Sequence, residues 1–521
     1  MEETFVVDKF IGRIKETVKP QWKAAFLGCF IIGILTFGYT ITNHFLTYDS
    51  MWNLVSDQDM ITSGRQFLTY ACGISTDYDL PWLNGILAIF YMSVASVIVV
   101  ESLGIKSKTL AVLAGGILVT FPSMASTFCY TYTIDGYMLA VLLAAAAFLL
   151  TDRKKWGFVG GMVLLGISLG IYQAYFSFTI LLCILKLLLN ILEGEKIKNI
   201  LIKALKYISM GVGSYIFYYV TLQIMLKIKG QQLSMYQGIN NLESFSLKDI
   251  PAGVIGAIKE FFSFLRSPGA LSTTNLMYLA TILLIGLGVG IYLWAFVKAK
   301  LDNKGLRVLF VLLLLAATPV GVTLVYVMAP NMYFHLLMRL PWALFFVFVL
   351  ALAEKNPNGE KSFLRKTKSV LSSAICILAV ALISQFAITA NVVSFNMEER
   401  YEKTYALCLR ILDRLEQTEG YNTYEKIAFI GGGVDESLYP YTDLTSGYLK
   451  GYFGAEGVLC VNDSEKFDNF FYHYLNVTLA TASQEEELML IQTEEFKQME
   501  NFPGKNSIKK IGDIWVVKLN G

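Results

Sequence analysis

Three acids and an arginine, Asp49, Asp57, Asp59 and Arg65, share one short stretch with the aromatic side chains of Tyr48 and Trp52. They follow Ala24 to Phe45, an apolar run long enough to cross a bilayer, so the carboxylates fall where lipid meets water. Asp49 alone could simply end a helix in a solvated loop; the company it keeps, in a chain otherwise poor in charge, argues for more. A second set lies far downstream. His335 and Arg339 are four residues apart, which on an α-helix puts them on one face. His335 could sit in a solvated turn. Alternatively both could donate to the phosphate of a lipid carrier, a task that suits the forked guanidinium. Asp135 and Gln173 stand in comparable turns, with Tyr132, Tyr137, Tyr172 and Tyr333 close by in sequence. Tyr and Trp form belts at any membrane interface, and those not so used could stack on sugar rings. His44 could tune Asp49 or end the apolar run.

The elements that must position these groups are membrane spans. The chain has 521 residues, 55% hydrophobic and 16% charged, with a mean hydropathy of +0.52. A soluble chain carries nearer a quarter charged residues, so a mainly α, polytopic membrane protein is expected. Its net charge of +2 is too small to suggest a nucleic-acid partner. Apolar runs place about eleven spans: near 24–45, 82–103 and 109–129, a fourth from about Asp135 to the Asp152 turn, then 157–174, 176–192, 207–226, 276–297 and 308–328, a tenth from about His335 to Glu354, and 369–390. Residues 1–23 read as an amphipathic leader lying on the cytoplasmic surface, not a cleavable signal. Between the seventh and eighth spans, Asp249 to Leu265 has amphipathic spacing. Away from the outer ends of the spans, charge is confined to Glu101 and Lys186, each in the inner half of its span and close enough to the cytoplasm to snorkel. Among seven cysteines none has CxxC spacing; Cys408 and Cys460 share the C-terminal region and could pair.

Orientation follows from charge. The leader and the even-numbered turns hold 23 Lys and Arg, the opposite loops seven. With positive charge kept inside, the amino terminus is cytoplasmic, and Asp49, Asp135, Gln173, His335 and everything beyond Asn391 face outward. Residues 391–521 read as a small extracytoplasmic α/β domain, with helical spacing from Met397 to Glu416 and strands at Lys426–Ile430 and Ile514–Val517. The turn Gly431-Gly432-Gly433 does not complete a nucleotide-binding fingerprint, because position 436 is Glu. Three parts result: 1–23, a transmembrane domain over 24–390, and 391–521.

An acid soon after the first span, an outward Asp135, eleven spans and an exterior tail resemble the GT-C type of membrane glycosyltransferase. More narrowly, Tyr48-Asp49-Ser50, Gly64-Arg65-Gln66-Phe67, Leu80-Pro81-Trp82-Leu83, Tyr172-Gln173-Ala174-Tyr175 and Met338-Arg339-Leu340-Pro341-Trp342 resemble the bacterial serotype-converting glucosyltransferases that modify O-antigen. The resemblance covers about 24–390, with Phe67 where some relatives carry Trp.

The resemblance implies an enzyme of the bacterial inner membrane that moves a glucosyl or related hexosyl unit from a polyprenyl-phosphate sugar to a cell-surface glycan. A polyprenyl phosphate leaves as a stabilised anion, so such an enzyme needs a base for the acceptor hydroxyl and cations for the departing phosphate. Asp49 is then the expected base and Asp135 a group that positions acceptor or base. Arg65 and Arg339, with His335, are the expected phosphate ligands, and Gln173, Tyr172, Tyr48, Trp52 and Asp57 further substrate contacts. Asp57 and Asp59 could instead bind a divalent cation, although two carboxylates two residues apart specify no metal. The competing readings are a flippase or exporter of lipid-linked glycan and an O-antigen-type polymerase or ligase. A flippase would need charge lining a membrane path; a polymerase or ligase would need an Arg-rich outer loop, and 227–275 has only Arg266.

Overall fold

The computed structural model describes residues 17–234, 250–266, 271, 273–299, 301–328, 333–354, 362–433, 437, 449 and 451–520, and of 328 and 362–369 the backbone alone. The leader's first sixteen residues, Asp249, residues 329–332 and Glu436 lie outside these. The chain divides into two compact units: Asn43–Ser56 joins Val392–Gly521, and the remainder forms the other.

The larger unit is helical. In chain order its helices are α1 (Pro20–Thr42), α2 (Leu68–Cys72), α3 (Pro81–Leu103), α4 (Lys108–Thr120), α5 (Pro122–Phe128), α6 (Ile134–Arg153), α7 (Gly157–Ile171), α8 (Phe176–Leu192), α9 (Ile197–Lys229), α10 (Ile250–Arg266), α11 (Asn275–Lys298), α12 (Lys304–Val322), α13 (Leu324–Met328), α14 (Ala343–Glu354) and the first part of α15 (Ser362–Glu416). Among the described residues nine helices are long and apolar enough to cross a bilayer, and α4 with α5 makes a tenth span bent by 46°. The apolar α7, only 15 residues long, fills the eleventh expected place. Pro122 causes the bend: it offers no N–H, and it holds Phe121 in extended backbone at ψ 141°.

Small residues let these helices approach closely, as interfaces in lipid require. A Cβ added to Gly115 of α4 would lie 2.7 Å from the Ala25 carbonyl of α1. The two charges found within the apolar runs are engaged locally. Glu101 accepts from Lys19 Nζ at 2.6 Å, from the Trp22 indole and from Arg153, and Lys186 Nζ donates to the Ser102 carbonyl at 3.0 Å.

The smaller unit is an α/β layer structure. Strands β1 (Lys426–Ile430), β2 (Ala480–Thr481), β3 (Ile508–Ile511) and β4 (Ile514–Lys518) form one sheet in the order β2-β1-β4-β3. Strand β1 is parallel to both neighbours, and β3 closes the edge antiparallel to β4. Alternate residues serve opposite faces, as the strand repeat dictates. Ile427, Phe429, Trp515 and Val517 pack with the end of α15 and with α16 (Ser464–Leu475). Ala428, Ile430 and Val516 pack with α17 (Gln484–Gln492) and α18 (Glu494–Lys497).

Sequence reading places Asn43–Ser56 with 24–390, whereas its contacts group it with this sheet. The reason is burial: Leu46 and Met51 lie in the same core as Leu407, Phe467 and Val517. Cys408 and Cys460, expected as a possible pair, are both free and buried; the Cys460 thiol donates instead to the Leu46 carbonyl.

Candidate functional site

Arg65 owes its position to the glycine before it. The 3-10 turn Ile61–Ser63 ends at Gly64, whose φ of 70° favours glycine. An added Cβ there would also meet Tyr218 Oη at 2.6 Å and Gln173 Nε2 at 2.8 Å. Those two groups fasten the turn: Gln173 donates to the carbonyls of Ser63 (3.1 Å) and Gly64 (2.8 Å), and the Tyr218 hydroxyl donates to Gly64 (3.0 Å). Gln66 donates to the Tyr218 carbonyl, and the Phe67 amide to the Gly170 carbonyl. Gln173, expected to touch substrate, therefore commits its amide N–H groups to holding the turn.

From this clamp the guanidinium of Arg65 donates to the Tyr137 hydroxyl at 3.0 Å. It lies 4.8 Å from the centroid of the Tyr172 ring, and Tyr137 stacks on Tyr172 at 4.5 Å. Tyr172 is buried. A charge held between a hydroxyl and an aromatic face is oriented before any ligand arrives, and its fork matches a phosphate.

Asp135 opens α6 two residues before Tyr137 and is only 1% exposed. Its Oδ2 accepts from Ser75 Oγ at 2.5 Å, while Oδ1 lacks a hydrogen-bond partner among the described residues. A carboxylate that is buried and half satisfied is costly, and marks a site by default. Asp79, passed over in the sequence, supports the turn before it by accepting from Thr131 Oγ1 at 2.7 Å. Burial first, and then the charge of Asp135, push the Cys72 thiol well above its usual range.

Residues Leu336–Trp342 form a 3-10 helix where an α-helix was expected. Three residues per turn, in place of 3.6, take His335 and Arg339 off a common face and align Arg339 with Trp342. Arg339 pairs with Glu260 of α10, donates to the Phe334 carbonyl at 3.0 Å and lies 4.2 Å from the Phe264 ring centroid. His335 remains near both cations: burial, then the charges of Arg65 and Arg339, hold its imidazole below the usual value. The 3-10 turn Gln173–Tyr175 packs against Leu336–Trp342, so Arg65, Tyr137, Tyr172, His335 and Arg339 gather at one end of the helical unit.

Asp49, Tyr48 and Trp52 belong to the other unit. Thr47 and Ser50 lock their loop, the Thr47 amide donating to Ser50 Oγ at 2.9 Å and the Ser50 amide to Thr47 Oγ1 at 3.2 Å. The Tyr48 ring lies beneath the Arg400 guanidinium at 5.0 Å, and Trp52 is exposed. The Asp49 side chain does not cap the turn that follows and stays open to solvent. The protein nevertheless crowds it, and this desolvation pushes its carboxyl above the ordinary aspartate value while Lys466 pulls the other way. Asp57 accepts from the Asp59 amide, and Asp59 pairs with Lys229 at 2.5 Å.

Among the described residues no three His, Cys, Asp or Glu side chains are grouped to hold a metal ion. No curated protein and no solved structure matches the chain. The family model described as Glucosyl transferase GtrII matches residues 38–352, more than half of the chain. That span holds the loop of Asp49, the clamped Arg65, the buried Asp135 and the 3-10 helix of Arg339, and the chain belongs to the GtrII glucosyl transferase family.

Proposed function

We propose that this membrane glucosyltransferase takes a glucosyl or related hexosyl unit from a polyprenyl-phosphate sugar and delivers it to a cell-surface glycan on the outer face of the bacterial inner membrane. Family membership supports glucosyl transfer, and the apolar helices support a multi-pass membrane protein. The observation that carries the phosphate-linked donor is the guanidinium of Arg65, fixed by Tyr137 and Tyr172 at one end of those helices. A cation placed in advance of a developing phosphate charge stabilises the transition state without reorganising. Arg339 adds a second cation to that field, and His335, kept neutral by its surroundings, offers one N–H donor. Asp49 is the base for the acceptor hydroxyl; its crowded carboxyl is a better proton acceptor than a free aspartate. Asp135 positions acceptor or base. The excess of Lys and Arg in the leader and even-numbered turns supports a cytoplasmic amino terminus and an exterior smaller unit.

The test is purified protein with polyprenyl-phosphate glucose and a glycan acceptor, assayed beside Asp49→Asn and with or without EDTA, since Asp57 and Asp59 could recruit a divalent cation. Transfer falls on the order of 10²–10⁴-fold in the variant. Equal turnover would end the assignment of Asp49, and no turnover from a phosphate-linked donor would end that of the donor. Deleting the chain in cells removes one side-branch sugar; loss of the whole polymer would favour export or polymerisation.

A further inference from the structure

Arg339 and Trp342 each bury a donor for which the described residues supply no acceptor. Arg339 Nη1 and Trp342 Nε1 both lack a hydrogen-bond partner among the described residues. Trp342 is 2% exposed, and the Arg339 side chain 11%. Native proteins leave few such groups unsatisfied, and two on one turn call for an explanation. The turn supplies the geometry: in a 3-10 helix residues three apart eclipse, so the two side chains leave the backbone on the same side.

Helix α10 holds both. Phe261 stacks on the Trp342 ring at 4.5 Å. Phe264 meets the same ring edge-on at 4.9 Å and lies beneath the Arg339 guanidinium at 4.2 Å. Glu260 engages Nη2 of Arg339, so the charge is anchored through one nitrogen while the other is left over. Neither orphan can accept a hydrogen bond, because guanidinium and indole N–H groups only donate. A single group that completes the site must therefore accept twice, and a guanidinium anchored through one nitrogen favours an anion there.

We infer that Arg339 Nη1 and Trp342 Nε1 form a two-donor cradle for the phosphate of the lipid-linked donor, which makes Trp342 a substrate-binding residue. This rests on the phosphate-linked donor proposed above. Glu260 is then a positioning residue, since it reaches the ligand only through Arg339.

The test uses the full chain in nanodiscs with ¹⁵N-indole-labelled tryptophan, and farnesyl phosphate and farnesol as probes. Of the seven tryptophans, Trp342 is the one whose indole N–H resonance is missing from Trp342→Phe, a change that keeps a ring on Phe261. Trp342→Tyr makes the same assignment should the Phe variant fail to fold. Farnesyl phosphate moves that resonance downfield and farnesol does not, and Trp342→Phe binds farnesyl phosphate on the order of tenfold more weakly, the loss expected for one charge-assisted hydrogen bond, with farnesol unaffected. If the wild type prefers farnesyl phosphate to farnesol but the resonance stays still and the variant binds equally well, the cradle is wrong and the phosphate-linked donor stands. If the wild type shows no preference, both fall.

Discussion

Asp49 keeps the open side chain of a free aspartate, yet the protein around it crowds the carboxyl enough to raise its pKa. Its folded pKa is raised, so folding favours the protonated form. Stability from this group is therefore gained as pH falls through the folded value and lost as pH rises above it. Asp49→Asn should accordingly melt at or slightly above the wild-type temperature at neutral pH while losing transfer, a split that calorimetry and the transfer assay check together. The acid limb of the wild-type rate profile should lie above the ordinary aspartate value of about 3.9. Arg65→Lys keeps the charge but loses the planar fork that meets Tyr137 and Tyr172, and KM for a phosphate-linked donor should rise about tenfold. Asp49, Arg65 and Asp135 could be singled out as candidates from the sequence because the chain as a whole is poor in charge. Glu260 could not: its partner Arg339 is 79 residues away, and no local pattern announces the pair.

Apolar length alone finds the spans at the scale of helices, because a bilayer demands it. It cannot find how they start. The turns Thr131–Thr133, Gln173–Tyr175 and Leu336–Trp342 all wind as 3-10 before their helices continue, and an expectation of 3.6 residues per turn pairs His335 with Arg339 where the fold aligns Trp342. Hydrophobicity was also silent on Gln173, a polar side chain used to hold backbone. Gly64→Ala should expose that dependence. The left-handed conformation costs a side chain about 1–2 kcal/mol, and the new methyl would press on Tyr218 and Gln173 besides. A lower melting temperature together with weaker donor binding is expected; unchanged binding would show that the turn does not govern Arg65.

For the molecule as a whole, the tail's α/β character was legible from buried strands at Lys426–Ile430 and Ile514–Lys518. That a loop near residue 49 shares its core was not, since strand periodicity says nothing about a partner hundreds of residues away. A chain ended after Glu416 loses the sheet against which Leu46 and Met51 pack. Limited proteolysis should then cut within 43–56, and transfer should be lost; a protected loop would contradict the shared core. Topology is checked with a single cysteine at Tyr424, which is 90% exposed. In intact cells a membrane-impermeant maleimide should label it.

That shared core also sets an order of events during synthesis. The stretch 43–56 emerges with the first span, but the sheet that buries it is finished only when Ile514–Lys518 leaves the ribosome. Until then Leu46 and Met51 stay uncovered while span after span is inserted, and closing so long a loop is slow. The smaller unit is thus the last part of the protein to form, so a ribosome that stops early leaves a bundle in the membrane whose proposed base has no folded platform.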